Sequence, residues 1–233
     1  MEKVFKIREI QIFWEEINRR LPAEEECAYR LAGMQGWVKT NQKNPVYADL
    51  IKLFLAYYDD EPLTPSMAGN RSVVIPRSSV FSLKTLLLSV PLYEHILLCG
   101  RIYLGQAEKI MTTTKNWGLS CVWAILVCVI AHDLGKLRRL RPKPPEKYRT
   151  ERHPDYAAWE MGIVIDPKYG KVKQTLINAV LSHHGVLNKD LEKKGNYMAL
   201  AVIGVDRLAR QMETEDGAYL MTLKAVKNTG LLE

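Results

Sequence analysis

The 233-residue chain predicts an all-α fold, a helical bundle of about five core helices preceded by an extra helical N-terminal region. Three observations carry that expectation. Apolar residues recur at spacings of three and four through most of the chain, the period of an amphipathic helix. Pro, Gly and Asn gather between these segments rather than inside them. The connections in the second half are short, as a bundle requires.

Taken in order, Val4, Ile7, Ile10, Phe13, Trp14 and Ile17 form the first helical stripe. A second helical stretch is expected from Glu24 to Gly36, and a third from Tyr47 to Tyr58, where Leu50, Ile51, Leu53, Phe54 and Tyr57 make a broad apolar face. Asp59 to Ser78 then reads as a loop through Pro62, Pro65, Gly69, Asn70 and Pro76, with a short strand at Ser72–Ile75 as half of a small hairpin near 72–76. From Phe81 the pattern gives five helices, roughly Leu83–Met111, Trp117–Lys136, His153–Ile163, Lys171–His184 and Asn196–Met212. The expected organisation is therefore a helical N-terminal region over 1–80, a metal-binding helical domain over 81–215 and a C-terminal tail over 216–233.

Apolar residues are 47% and charged residues 25% of the chain, as is ordinary for a soluble globular protein, and no internal repeat or low-complexity tract is seen. A net charge of +7 favours an anionic partner. Of the four cysteines none forms a C-x-x-C pair, and Cys99, Cys121 and Cys128 lie in apolar stretches where a thiol packs as a small hydrophobe. The charged, amphipathic N-terminus shows no signal peptide, so a reduced, cytoplasmic setting is expected. Trp117 to Ala131 is almost wholly apolar, but it is shorter than the ~20 residues of a membrane span and leads into His132 and Asp133. It predicts a buried central helix and no membrane span.

All five histidines fall between positions 95 and 184. His132 and Asp133 end the most apolar segment, followed by Leu134, Gly135 and Lys136. A carboxylate buried there costs several kcal/mol unless a cation or strong donors compensate it. His183 and His184 end another amphipathic segment, and Asp206 stands in the apolar run ALAVIGVDRLA. With His95 and His153 these make seven candidate ligands, too many for one tetrahedral ion and suited to two divalent ions that share a carboxylate. The mixture of imidazole and carboxylate suits Mn, Fe, Ni, Co or Zn better than Mg.

The motif HDLGK after an apolar helix, with His95 upstream and His153, His183–His184 and Asp206 downstream, resembles the HD-domain phosphohydrolase superfamily over roughly residues 87–212. The full ligand set is most similar to its two-metal branch, which includes the HD-GYP phosphodiesterases. The resemblance implies that Asp133 bridges two ions and takes part in catalysis. One ion would be held by His95, His132, Asp133 and Asp206, the other by Asp133, His153, His183 and His184. Lys136 would meet the substrate phosphate. The implied activity is hydrolysis of a nucleotide or nucleic-acid phosphoester, a phosphodiester or phosphomonoester, by a hydroxide activated between the two metals. Two departures stand out. The GYP segment is absent, since HHGVLNKDLEKKGNY follows the double histidine, so cyclic di-GMP specificity does not carry over. Pro91 stands where some two-metal relatives have a glutamate serving a further ion.

Lys136, Arg138, Arg139, Arg141, Lys143, Lys147, Arg149 and Arg152 lie within seventeen residues. Both ends of this Pro-rich loop are anchored at candidate ligands, so it is expected over the mouth of the site, with Tyr148 available to stack a base. Lys136, Arg138, Arg139 and Arg152, with Arg207 and Arg210 after Asp206, are the expected phosphate-binding residues. Two alternatives remain open: an HD-type nuclease or relaxase acting on single-stranded nucleic acid, and a non-catalytic HD signalling module. The N-terminal helices could mediate oligomerisation in each case.

Overall fold

The computed structural model describes residues 5–22, 47–66, 90–113, 119–142, 150–184 and 197–228. Among them the fold is all-α. Seven helices occur: α1 (Arg8–Arg20), α2 (Tyr47–Asp60), α3 (Leu92–Thr113), α4 (Leu119–Ala131), α5 (His153–Val164), α6 (Gly170–Leu181) and α7 (Tyr197–Asn228). The described residues contain no strand, only an isolated bridge between Pro65 and Pro91. The hairpin expected near 72–76, the helix expected from Glu24 to Gly36, and Lys143, Lys147, Tyr148 and Arg149 of the basic loop lie outside the described residues.

The bundle is built around α4. Every residue from Val122 to Ala131 is buried, as expected of a helix that is apolar on all sides. It is enclosed by α2, α3, α6 and α7. Two buried tyrosines add direction to this packing: Tyr58 Oη donates to Ile130 O at 2.8 Å and Tyr103 Oη to Val122 O at 3.0 Å. No helix among the described residues is long and apolar enough to cross a membrane.

The N-terminal helices share this core. Phe5, Ile10, Phe13, Trp14 and Ile17 of the α1 segment and Ile51, Phe54 and Leu55 of α2 join one apolar cluster with α3 and α4. Ile7 stands at the start of α1 and has no capping side chain. Asp59, at the end of α2, supplies the missing acceptor by receiving the Lys6 and Ile7 N–H groups at 2.9 and 2.7 Å.

Helix ends differ from the periodicity. The apolar pattern runs through Lys136 and His184, whereas α4 stops at Ala131 and α6 at Leu181. Both expected ends were too long for one reason, set out below: histidine side chains take carbonyls of the last turn. Leu134–Lys136 then forms a single 3-10 turn. At the other extreme, α7 continues past Met212 to Asn228.

The 3-10 turn packs directly on the start of α5. A Cβ at Gly135 would lie 2.0 Å from the His153 carbonyl oxygen, so this glycine is required by the close approach of two backbones. Gly135→Ala should therefore lower stability by ~1–3 kcal/mol and separate His153 from the turn. A thermal melt with an unchanged midpoint would contradict this.

Candidate metal centre

Three helices deliver their histidines in the same way. The Nδ1 of His132 lies 2.7 Å from Val129 O, and that of His183 lies 2.6 Å from Val180 O. A carbonyl oxygen carries no proton, so each Nδ1 must donate, and the lone pair of the neutral ring is left on Nε2. These bonds satisfy carbonyls that the ends of α4 and α6 would otherwise leave unpaired. On α3, His95 Nδ1 is 2.6 Å from Glu213 Oε1. All three rings are thus locked with Nε2 facing inward, as an orienting partner on the far nitrogen does for metal-ligating imidazoles.

The inward atoms form two groups. In the first, the donor atoms of His95, Cys99, His132 and Asp206 lie within 4.8 Å of one another. In the second, those of Asp133, His153, His183 and His184 do the same. Asp133 joins them, with one oxygen for each. Its Oδ2 is 3.7 Å from His95 Nε2 and 3.5 Å from His132 Nε2. Its Oδ1 is 2.8 Å from His153 Nε2 and 3.8 Å from His183 Nε2. The ring nitrogens of the second group also converge on each other, His153 Nε2 being 3.2 Å from His183 Nε2 and 3.0 Å from His184 Nε2.

These residues fit a cation. His132 Nε2 and Asp133 Oδ1 are buried without a partner in hydrogen-bonding geometry, although His153 Nε2 approaches the latter closely. Buried acceptors left in this way usually signal an ion or a water. Both groups could hold a metal ion. Comparisons with family models, curated proteins and solved structures found no match.

The charge balance fits as well. Burial pushes Asp133 up, but Lys136 first, then His132 and His153, outweigh it and hold the carboxyl well below the usual range. Asp206 is likewise held low against its burial, chiefly by the His95 contact at 3.1 Å. Burial brings His132 down to about 3 and lowers His153, while burial and the neighbouring rings bring His184 to about 4, so these imidazoles are neutral at pH 7 and ready to ligate. His95 differs. Burial opposes its charged form, yet Cys99, Asp206 and Glu213 outweigh burial and hold it well above the ordinary imidazole value.

The structure brings all seven expected ligands together, His184 at the exposed edge and the others inward. Lys136 is buried and donates to Asp133 Oδ2 at 2.6 Å. Arg210 also enters the centre, its guanidinium 3.7 Å from both Asp133 Oδ2 and Asp206 Oδ1. The other expected phosphate-binding residues are placed differently. The Arg138 and Arg139 N–H groups are held by Glu61, and the Arg139 guanidinium lies 3.4 Å over the Tyr57 ring. Arg152 pairs with Asp155 at 2.8 Å and Arg207 is exposed, while Arg141, of the same basic segment, turns back onto Lys136 O.

Besides Cys99, read from the sequence only as a packing thiol, two residues escaped the sequence reading. Glu213 orients His95 and holds Arg210 at 3.0 Å, and Ser66 receives Arg210 through its hydroxyl at 3.0 Å and its carbonyl at 3.3 Å. A signal for Glu213 existed, because Asp206, Arg210 and Glu213 follow the i, i+4, i+7 spacing of one helix face. Ser66 lies in an irregular loop and left no pattern.

Glu213→Ala should weaken Mn²⁺ binding at the first group ~10–100-fold in a calorimetric titration, the usual cost of losing an orienting partner. Affinity equal to the parent's would remove Glu213 from this role. The raised His95 value sets a sign for pH. A proton held on Nε2 competes with an ion for that nitrogen, so affinity at the first group falls as pH is lowered. Calorimetry in buffers of different ionisation enthalpy reads this competition as proton release, and zero release would contradict it.

Proposed function

We propose that the chain is an HD-type metal-dependent phosphohydrolase that uses two divalent ions on a nucleotide or nucleic-acid phosphoester. The observation that carries this reading is the division of Asp133, with Oδ2 facing one group of donors and Oδ1 the other. His95, His132 and Asp206 would hold one ion with Oδ2; His153, His183 and His184 would hold the second with Oδ1. When bound, such a pair acidifies a shared water and draws charge from phosphoryl oxygens. The donor set favours Mn, Fe, Ni, Co or Zn.

The chain's own residues do the rest. The carbonyls of Val129 and Val180 and the carboxylate of Glu213 keep three imidazoles aimed at the centre. Lys136 and Arg210 place positive charge beside Asp133, where a phosphoryl group would gather negative charge in its transition state. Arg210 is itself braced by Ser66 and Glu213, so little reorganisation is needed when charge develops. The net charge of +7 and the exposed Arg138, Arg152 and Arg207 favour a polyanionic substrate as the second form of this reading, a nuclease or relaxase.

Purified protein supplemented with Mn²⁺ should cleave a generic phosphodiester or a nucleotide; no turnover on either, with no metal by elemental analysis, would overturn the proposal. Asp133→Ala should abolish turnover and deplete both ions. Lys136→Ala should reduce turnover by ~10²-fold or more with metal content near that of the parent. Equal metal loss in the two variants would contradict this division of roles. Single-stranded DNA binding that falls steeply with salt would select the nuclease form, and weak, salt-insensitive binding would exclude it.

A further inference from the structure

Cys99 is buried beside the centre and takes no part in the reaction outlined above. It lies on α3 one helical turn beyond His95, which brings both side chains to the same face. Its Sγ is 3.6 Å from His95 Nε2 and shares a 4.8 Å cluster with the donor atoms of His132 and Asp206. A second observation points to a ligand at this place. His132 Nε2, in a residue only 1% exposed, belongs to that cluster and has no hydrogen-bond partner.

The spacing is informative. With Zn–N near 2.05 Å and Zn–S near 2.3 Å, two donors set at roughly the tetrahedral angle on one ion are about 3.5 Å apart. The observed separation is close to that distance. A thiol donating to an imidazole has a similar length, so the distance alone does not choose; the unpartnered His132 nitrogen favours a shared ion. Asp206 Oδ1, 3.1 Å from His95 Nε2 and 3.9 Å from His132 Nε2, completes the set.

We propose that Cys99 is a ligand of the first ion, making that position a two-imidazole, one-carboxylate, one-thiolate site that also touches the shared Asp133. On binding, the sulfur–metal bond forms as the S–H bond breaks, the proton leaves to solvent and no redox change occurs. Thiolate is a soft donor. The first position is therefore selective for Zn²⁺, Co²⁺ or Fe²⁺ over Mn²⁺ and Mg²⁺. The second position, with three imidazoles and a carboxylate, lacks that preference, so the two positions differ in metal. This inference rests on the proposed metal centre and extends it.

The test loads the full chain with Co²⁺ and records its absorption. Expected are visible ligand-field bands together with a near-ultraviolet thiolate-to-cobalt charge-transfer band. That band should vanish in Cys99→Ser and persist in Cys27→Ser, Cys121→Ser and Cys128→Ser. Zn²⁺ affinity of the first position should fall at least ~10-fold more in Cys99→Ser than Mn²⁺ affinity does. Ligand-field bands without charge transfer, or a band that survives Cys99→Ser, would overturn the thiolate assignment while leaving the metal centre standing. Absence of any bound cobalt would overturn both. Should Cys99→Ser fail to fold, X-ray absorption of the Zn²⁺-loaded parent decides alone: a sulfur scatterer near 2.3 Å supports the assignment and a shell of nitrogen and oxygen only overturns it.

Discussion

The rest of the structure depends on one buried carboxylate. Asp133 is 1% exposed at the end of the most apolar helix, where an uncompensated charge would cost several kcal/mol. Positive charge meets it from two sides, Lys136 from the next turn and Arg210 from α7, while imidazoles carried by α3, α4, α5 and α6 face its two oxygens. Each of these groups must be held by a different helix, so the electrostatic requirement of a single residue sets the relative placement of most of the bundle. The apolar wall of α4 makes the requirement strict by excluding the water that would otherwise screen it.

Imidazoles at the ends of α4 and α6 meet two needs with one bond. A helix terminus leaves carbonyls without partners, and a metal-competent histidine needs its far nitrogen fixed. His132 and His183 answer both by donating to the carbonyl three residues earlier. Ligand geometry is thereby tied to secondary structure: the helix cannot extend without releasing the ring, and the ring cannot turn without stranding the carbonyl. Gly135 adds a steric tie, since the backbone after Asp133 rests on that of His153.

Much of this was legible in the sequence, and the limits have physical causes. The central buried helix followed from an unbroken apolar run, and the candidate ligands from the improbability of His132–Asp133 at the end of that run, an anchor that gave weight to the other histidines and Asp206. Helix ends were misplaced because periodicity measures which side of a helix is apolar and carries no information about a side chain that captures its carbonyls. The basic loop was expected to face the site as a whole, yet charge density does not say where each guanidinium goes: Arg139 lies over Tyr57 and Arg152 joins Asp155. Cys99 was indistinguishable from a packing cysteine, because burial among Leu and Ile looks the same whether or not a nitrogen lone pair waits across the gap.

Asp206, Arg210 and Glu213 stand on one face of α7 and supply, in order, a donor atom, a cation beside the shared carboxylate and the brace for His95. The three functions therefore move as a rigid body. A slide of the helix by a single residue, about 1.5 Å, would withdraw all of them together. The same helix runs on to Asn228, well beyond the centre, so force or torque applied to its far end is transmitted to ligand, cation and brace at once. In mechanical terms α7 is a lever whose short arm carries the candidate metal centre.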